Sequence, residues 1–178
     1  MSNPHISRPQ VHRLAEACGE QADAFQSTAY RLTRQQRTLS RFFEQNFETM
    51  GPMAGQAALY MLAVTIRIFE QVGGRMKKVS GRDIIESTKR IQPFIDSLMP
   101  ADKGFCQRAK VSQGRAQPHI LDEVLWALYE RKDESDSEVD LDLEQSALVY
   151  FMLWTAVECL DANWTPPQGW DPSDGVDG

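Results

Sequence analysis

PMAGQAALYMLAVTIRIFEQV, residues 52–72, and DLEQSALVYFMLWTAVECLDA, residues 142–162, are the two most apolar stretches of this 178-residue chain. On a helical wheel of the first, only Gln56, Tyr60, Arg67, Glu70 and Gln71 form a polar stripe, and it is narrow. The second is apolar nearly all round from Ala147 to Leu160. A helix with so little polar surface needs neighbours on most sides. The two are expected side by side at the centre of an all-α, single-domain bundle of five or six helices. The apolar run Ala57 to Ile66 is stopped by Arg67 and is too short to span a bilayer, so no membrane partner is expected.

Punctuation around these stretches places the other helices. Residues 9–18 carry Val11, Leu14, Ala15 and Cys18 at helical spacing, and Gly19 weakens that helix. From Glu20 to about Glu48 one long helix is predicted, with Phe25, Leu32, Leu39 and Phe43 mostly on one side. Gly51-Pro52 ends it and begins the next. Gly73-Gly74 closes the first apolar helix, and Arg75, Lys77 and Lys78 suit the negative end of its dipole. Ser80 and Asp83 form a start signal for a helix over 81–98, which Pro93 should kink or split. Residues 100–117 show no period and read as a long loop. Pro118 opens a helix to about Lys132 that buries Ile120, Leu121, Val124, Leu125 and Leu128 and turns His119, Glu123, Trp126 and Glu130 outward. Residues 1–8 are expected to be flexible, 9–164 to form the bundle, and 165–178, rich in Pro, Gly and Asp, to be a tail without regular structure.

Charge is divided unevenly along the chain. Residues 1–119 hold 17 Lys/Arg against 10 Asp/Glu, whereas residues 120–178 hold 2 against 15. The halves can neutralise each other by packing, or the basic half can serve an anionic partner. Arg31, Arg34, Arg37 and Arg41 concentrate the positive charge; the last three fall within about 60° on a helical wheel. Such a stripe suits phosphates, the acidic run 133–144 of this chain or a second copy, or simply solvent.

Other candidates are weaker. The run 133–144 has Asp first and Glu last, like a calcium-binding loop, but Glu138 stands where that loop needs glycine. His119 with Asp122 and Glu123 could share a metal, yet no matching second helix exists, and no metal or other cofactor is expected. Cys106, among Lys103, Arg108 and Lys110, has the cationic surroundings that favour a thiolate. Three cysteines, Cys18, Cys106 and Cys159, without paired spacing read as reduced thiols of a cytoplasmic protein. Arg67 and Glu158, lone charges in the two apolar helices, should face each other or occupy polar clefts; with Tyr60, Trp154 and Thr155 they could line a ligand pocket. Trp164 and Trp170, bracketing Pro166-Pro167, either clip the tail to the bundle or anchor a partner.

No catalytic residue set stands out. The leading expectation is a non-catalytic interaction protein, an adaptor, subunit or regulator that binds another protein or itself. The alternatives are a nucleic-acid-associated protein using the arginine stripe, and an enzyme or small-ligand binder with its site between the central helices.

Overall fold

The computed structural model describes residues 2–131 and 140–173. Its elements in chain order are α1 (Arg8–Glu20), α2 (Ala22–Gln35), α3 (Arg37–Gln45), α4 (Phe47–Met50), α5 (Pro52–Val72), β1 (Arg75–Met76), α6 (Gly81–Leu98), α7 (Phe105–Lys110), α8 (Pro118–Leu125), a π-helical turn (Trp126–Glu130), α9 (Leu143–Ala162) and β2 (Trp164–Thr165). The all-α class is as expected.

Helices α5 and α9 pack on each other; α1, α2, α3 and α4 add their apolar sides to α5, while α6 and α8 close on α9. Fourteen of the twenty residues of α9 are buried, which is why its sequence lacks a polar face. The stripe on α5 is where it should be: Gln56, Tyr60, Glu70 and Gln71 are exposed and Arg67 is half-buried. By length and composition α5 as a whole would also pass for a membrane span, but more than half of its most apolar window is buried within the fold.

Both central helices have well-defined ends. Gly51 at φ +89° precedes Pro52, and Gly73 at φ +99° ends α5 with its N–H on the Phe69 carbonyl. In α9 a capping box joins Asp142 and Gln145. The Gln145 amide also donates to the Met50 carbonyl at 3.1 Å, tying the start of α9 to the chain just before α5. The Ser80/Asp83 box starts α6 as read, and α6 runs through Pro93 as one helix, without the expected split.

More helices are present among the described residues than the five or six expected, for two reasons. The predicted helix over 20–48 is cut at Gln36 and Asn46. At Gln36 the backbone leaves helical geometry (φ −111°, ψ 57°) and the buried side chain accepts from Val79 N–H at 2.9 Å and donates to the Lys77 carbonyl at 3.0 Å. A glutamine amide has one donor and one acceptor side, so it can pair an extended backbone as a neighbouring strand would. The second reason is that α7 forms inside the expected loop, burying Phe105, Cys106 and Ala109.

Three further expectations are corrected. The N-terminus is fastened to the bundle: Ile6 is fully buried, its N–H donates to Gln117 Oε1 at 2.9 Å, and Gln117 Nε2 donates to the Pro4 carbonyl at 3.0 Å. Asn3 adds bonds to the carbonyls of Asp161 and Trp164. The outer face of α8 is covered by α1, so Glu123 is buried, paired with Arg8 and 3.0 Å from His12 Nδ1, while Trp126 meets the His12 ring edge-on. The start of the tail is ordered and makes a short antiparallel ladder, Met76 opposite Trp164 and Arg75 opposite Thr165. Gly74, at φ +88°, is required there, because a β-carbon would lie 2.2 Å from the Thr165 carbonyl oxygen.

Replacing Gln36 with alanine leaves the Lys77 carbonyl and Val79 N–H without their partner. The expected result is a loss of about 1–3 kcal/mol in urea unfolding, with no comparable loss for exposed Gln35→Ala.

Candidate functional site

The surface beside the ladder carries the candidate site. Tyr30, Arg31, Arg34 and Gln35 at the end of α2, with Lys78 beyond β1, surround a shallow hollow of about 480 Å³. A second hollow, about 350 Å³, shares Gln35 and Lys78 and reaches inward to Ile66, Phe69, Met76 and Trp164. Its floor is apolar because it is the edge of the core: Ile66, Phe69 and Trp164 are 5%, 2% and 4% exposed. Trp164 is held in place by its indole N–H, which donates to the Gly73 carbonyl at 2.8 Å, and by the Phe69 ring 5.1 Å away.

The four arginines of the stripe have different roles. Arg31 makes a bidentate pair with Glu70 at 2.8 and 2.9 Å, and Arg67 reaches the same carboxylate from one turn earlier on α5. Hydrogen bonds from Arg31 and Arg67 hold the Glu70 carboxyl below the usual carboxylate range, outweighing partial burial. Arg34 lies over the Tyr30 ring, 5.5 Å from its centroid, and Tyr30 is 65% exposed. Arg37 and Arg41 are exposed on α3, beyond the break at Gln36. The stripe is thus no single helical row: Arg31 and Arg34 face the hollow, while Arg37 and Arg41 continue on a redirected helix. Among the described residues, Arg34, Arg37, Arg41, Lys77 and Lys78 have no carboxylate within ion-pair distance.

Elsewhere the basic and acidic halves do neutralise each other, through Arg8–Glu123, Arg90–Glu158, Lys110–Glu130 and Arg115–Asp122. Most of the acidic run 133–144 lies outside the described residues; of its described part, Asp142 caps α9.

The expected pocket between the central helices is not assembled. Arg67 pairs with Glu70 at the surface, whereas Glu158 is buried, accepting from Ala116 N–H at 2.8 Å and from Arg90 at 3.3 Å. Burial raises the Glu158 carboxyl above its ordinary value. Tyr60 is exposed and meets the edge of Phe25, Thr155 bonds the Phe151 carbonyl one turn back, and Trp154 is fully buried beside Phe94 and Tyr150. None of the five lines either hollow beside the ladder.

The remaining candidates also disperse. Asp122 turns to Arg115, Glu123 to α1, and His119 meets His5 edge-on, so the three do not converge. Among the described residues no group of three His, Cys, Asp or Glu could hold a metal. Burial pushes the Cys106 thiol up, against the thiolate that its cationic neighbours suggest, and Arg108 is engaged by the Leu98 and Pro100 carbonyls and Asp102. Trp164 serves its own chain, and half-buried Trp170 packs on it at 5.6 Å.

Lys78, Phe69, Met76 and Gln36 complete the site and were assigned no site role from sequence. Lys78 is the readable one among them, since a lysine pair after Gly-Gly marks a helix end, but its approach to Arg34 depends on the long-range Gln36 bonds. In comparisons with known protein families, curated proteins and solved structures, the chain matches none of them.

The sign of the Glu70 effect follows from its lowered pKa. Its contribution to stability is fully present above the ordinary carboxylate range and is lost as pH falls through the lowered native value. The stability difference between wild type and Glu70→Gln should therefore stay constant from pH 7 down to the ordinary carboxylate range and shrink only below it, toward pH 3, in urea titrations. A difference that does not change with pH would contradict the pairing.

Proposed function

We propose that this chain is a non-catalytic helical interaction protein that binds an acidic segment of a partner protein across the surface formed by α2, β1 and the start of α3. One observation carries the reading. Arg34 and Lys78 line a common hollow, and neither has a carboxylate partner among the described residues. Paired surface charges contribute little to association, whereas unpaired cations grouped beside apolar surface steer and orient an anionic partner. Exposed Arg37, Arg41 and Lys77 extend the same positive field.

The separate partners of Arg67 and Glu158 favour this reading over an enzyme site between α5 and α9. A nucleic-acid reading has one specific feature in its favour, exposed Tyr30 beside Arg34, since a base can stack on such a ring. The acidic-segment reading is preferred because the cations adjoin an apolar hollow, which a phosphate backbone does not fill. The free state of all three described cysteines supports a reducing, cytoplasmic setting.

The test is fluorescence anisotropy with a labelled, glutamate-rich ten-residue peptide at low salt. Binding should weaken by about tenfold or more in the Arg34→Glu/Lys78→Glu double variant, and should fall with added salt. Equal affinity for the wild type and the double variant would remove this reading.

A further inference from the structure

We infer that the inner hollow beside Lys78 receives one apolar side chain, aromatic or large aliphatic, from the acidic segment, so that the recognised element is an apolar anchor flanked by carboxylates. This rests on the docking reading above and adds what the partner must present.

The inner hollow differs from the rest of the basic surface in its walls. Ile66, Phe69 and Trp164 belong to the core, yet they border a space of about 350 Å³ that opens at the protein surface. That volume lies at the small end of the range for ligand sites, roughly 300–1,000 Å³, and suits a single side chain. Met76, Gly73 and Gly74 also line it.

The walls are fixed before any partner arrives. The Trp164 indole is tied to the Gly73 carbonyl, Met76 and Trp164 are opposite each other in the ladder, and Gln36 holds the backbone on either side of Lys78. A hollow held open in this way spares a ligand the cost of ordering it. Its rim supplies the charge. Lys78 borders both hollows, with Arg34 on the outer one, so a carboxylate next to a seated anchor meets a cation. Glu70, also on the rim, opposes an acidic ligand less than a free carboxylate would, because Arg31 and Arg67 both hold it. Apolar anchors in desolvated pockets ringed by polar groups dominate the energetics of many interfaces.

The experiment uses the full chain, 15N-labelled, titrated with two blocked nine-residue peptides that differ at one position. One has four glutamates, a phenylalanine and four glutamates; the other has alanine in the centre. The phenylalanine peptide should bind about tenfold more tightly and should shift the Trp164 indole N–H resonance, which is assigned by its loss in Trp164→Phe. Met76→Trp, which narrows the hollow, should abolish the preference for the phenylalanine peptide over the alanine peptide. If that variant fails to fold, the two peptides on the wild-type chain decide the matter alone. Equal binding of both peptides, still lost in Arg34→Glu/Lys78→Glu, overturns the anchor and leaves the docking surface standing. Failure of both peptides to bind overturns both. Tighter binding of a twelve-nucleotide oligothymidylate than of either peptide assigns the surface to nucleic acid and likewise overturns both.

Discussion

Burial of α5 against α9 is the constraint on which the other parts of this structure depend. Removing a large apolar side chain from water contributes about 1.5–3 kcal/mol, and α9 alone buries Tyr150, Leu153, Trp154, Val157 and Leu160 completely. A pair of helices this apolar cannot be left with bare flanks. The short helices around them are the covering they require, and the N-terminal strap, fastened through Gln117, covers the last part of α9. Three of the polar groups that α9 brings into this interior have partners: Glu158 has Ala116 and Arg90, Asp161 has Gln117, and Cys159 bonds Ser87. Burial leaves the Cys159 thiol pushed up to about 11, an inert group packed as an apolar one.

The candidate site arises where this pairing stops. Helix α5 ends at Gly73 and α9 at Ala162, and the chains leaving them are joined by the two-residue ladder. That joint brings Trp164 under the edge of the core. The same extended segment, continued to Val79, is held on its other side by Gln36 at the end of α2. Core residues, a cationic helix end and a lysine-bearing strand therefore meet at one point. Arg34 and Lys78 have no carboxylate partner there among the described residues, while ion pairs such as Arg8–Glu123 and Arg90–Glu158 join the two halves of the chain elsewhere.

The parts legible in the sequence were those governed by local periodicity. The extents of α5 and α9, the polar stripe of α5 and the Ser80 capping box all follow from residues within a turn or two of each other. The parts that were not legible depend on bonds between distant residues. Gln36 interrupts a good helical pattern because it binds residues about forty positions later, and no local propensity records that. Glu123 looks like part of an exposed face until α1, more than a hundred residues earlier, lies across it, and His119 meets His5 of the N-terminal strap. Arg67 and Glu158 do not face each other: Arg67 pairs with Glu70 one turn away, whereas Glu158 pairs with Arg90 of α6, a partner that spacing along α9 does not indicate. For the site, Arg31, Arg34 and Trp164 were visible as candidates, whereas their meeting with Lys78 and Met76 was not.

Amide hydrogen exchange under native conditions tests the central pairing most directly. The account predicts that the mid-helix amides of α5 and α9 exchange only through global unfolding, with the same free energy as each other and as urea unfolding, while α2 and α3 open more readily. Exchange of either central helix by local opening, at a clearly lower free energy than its partner, would contradict it.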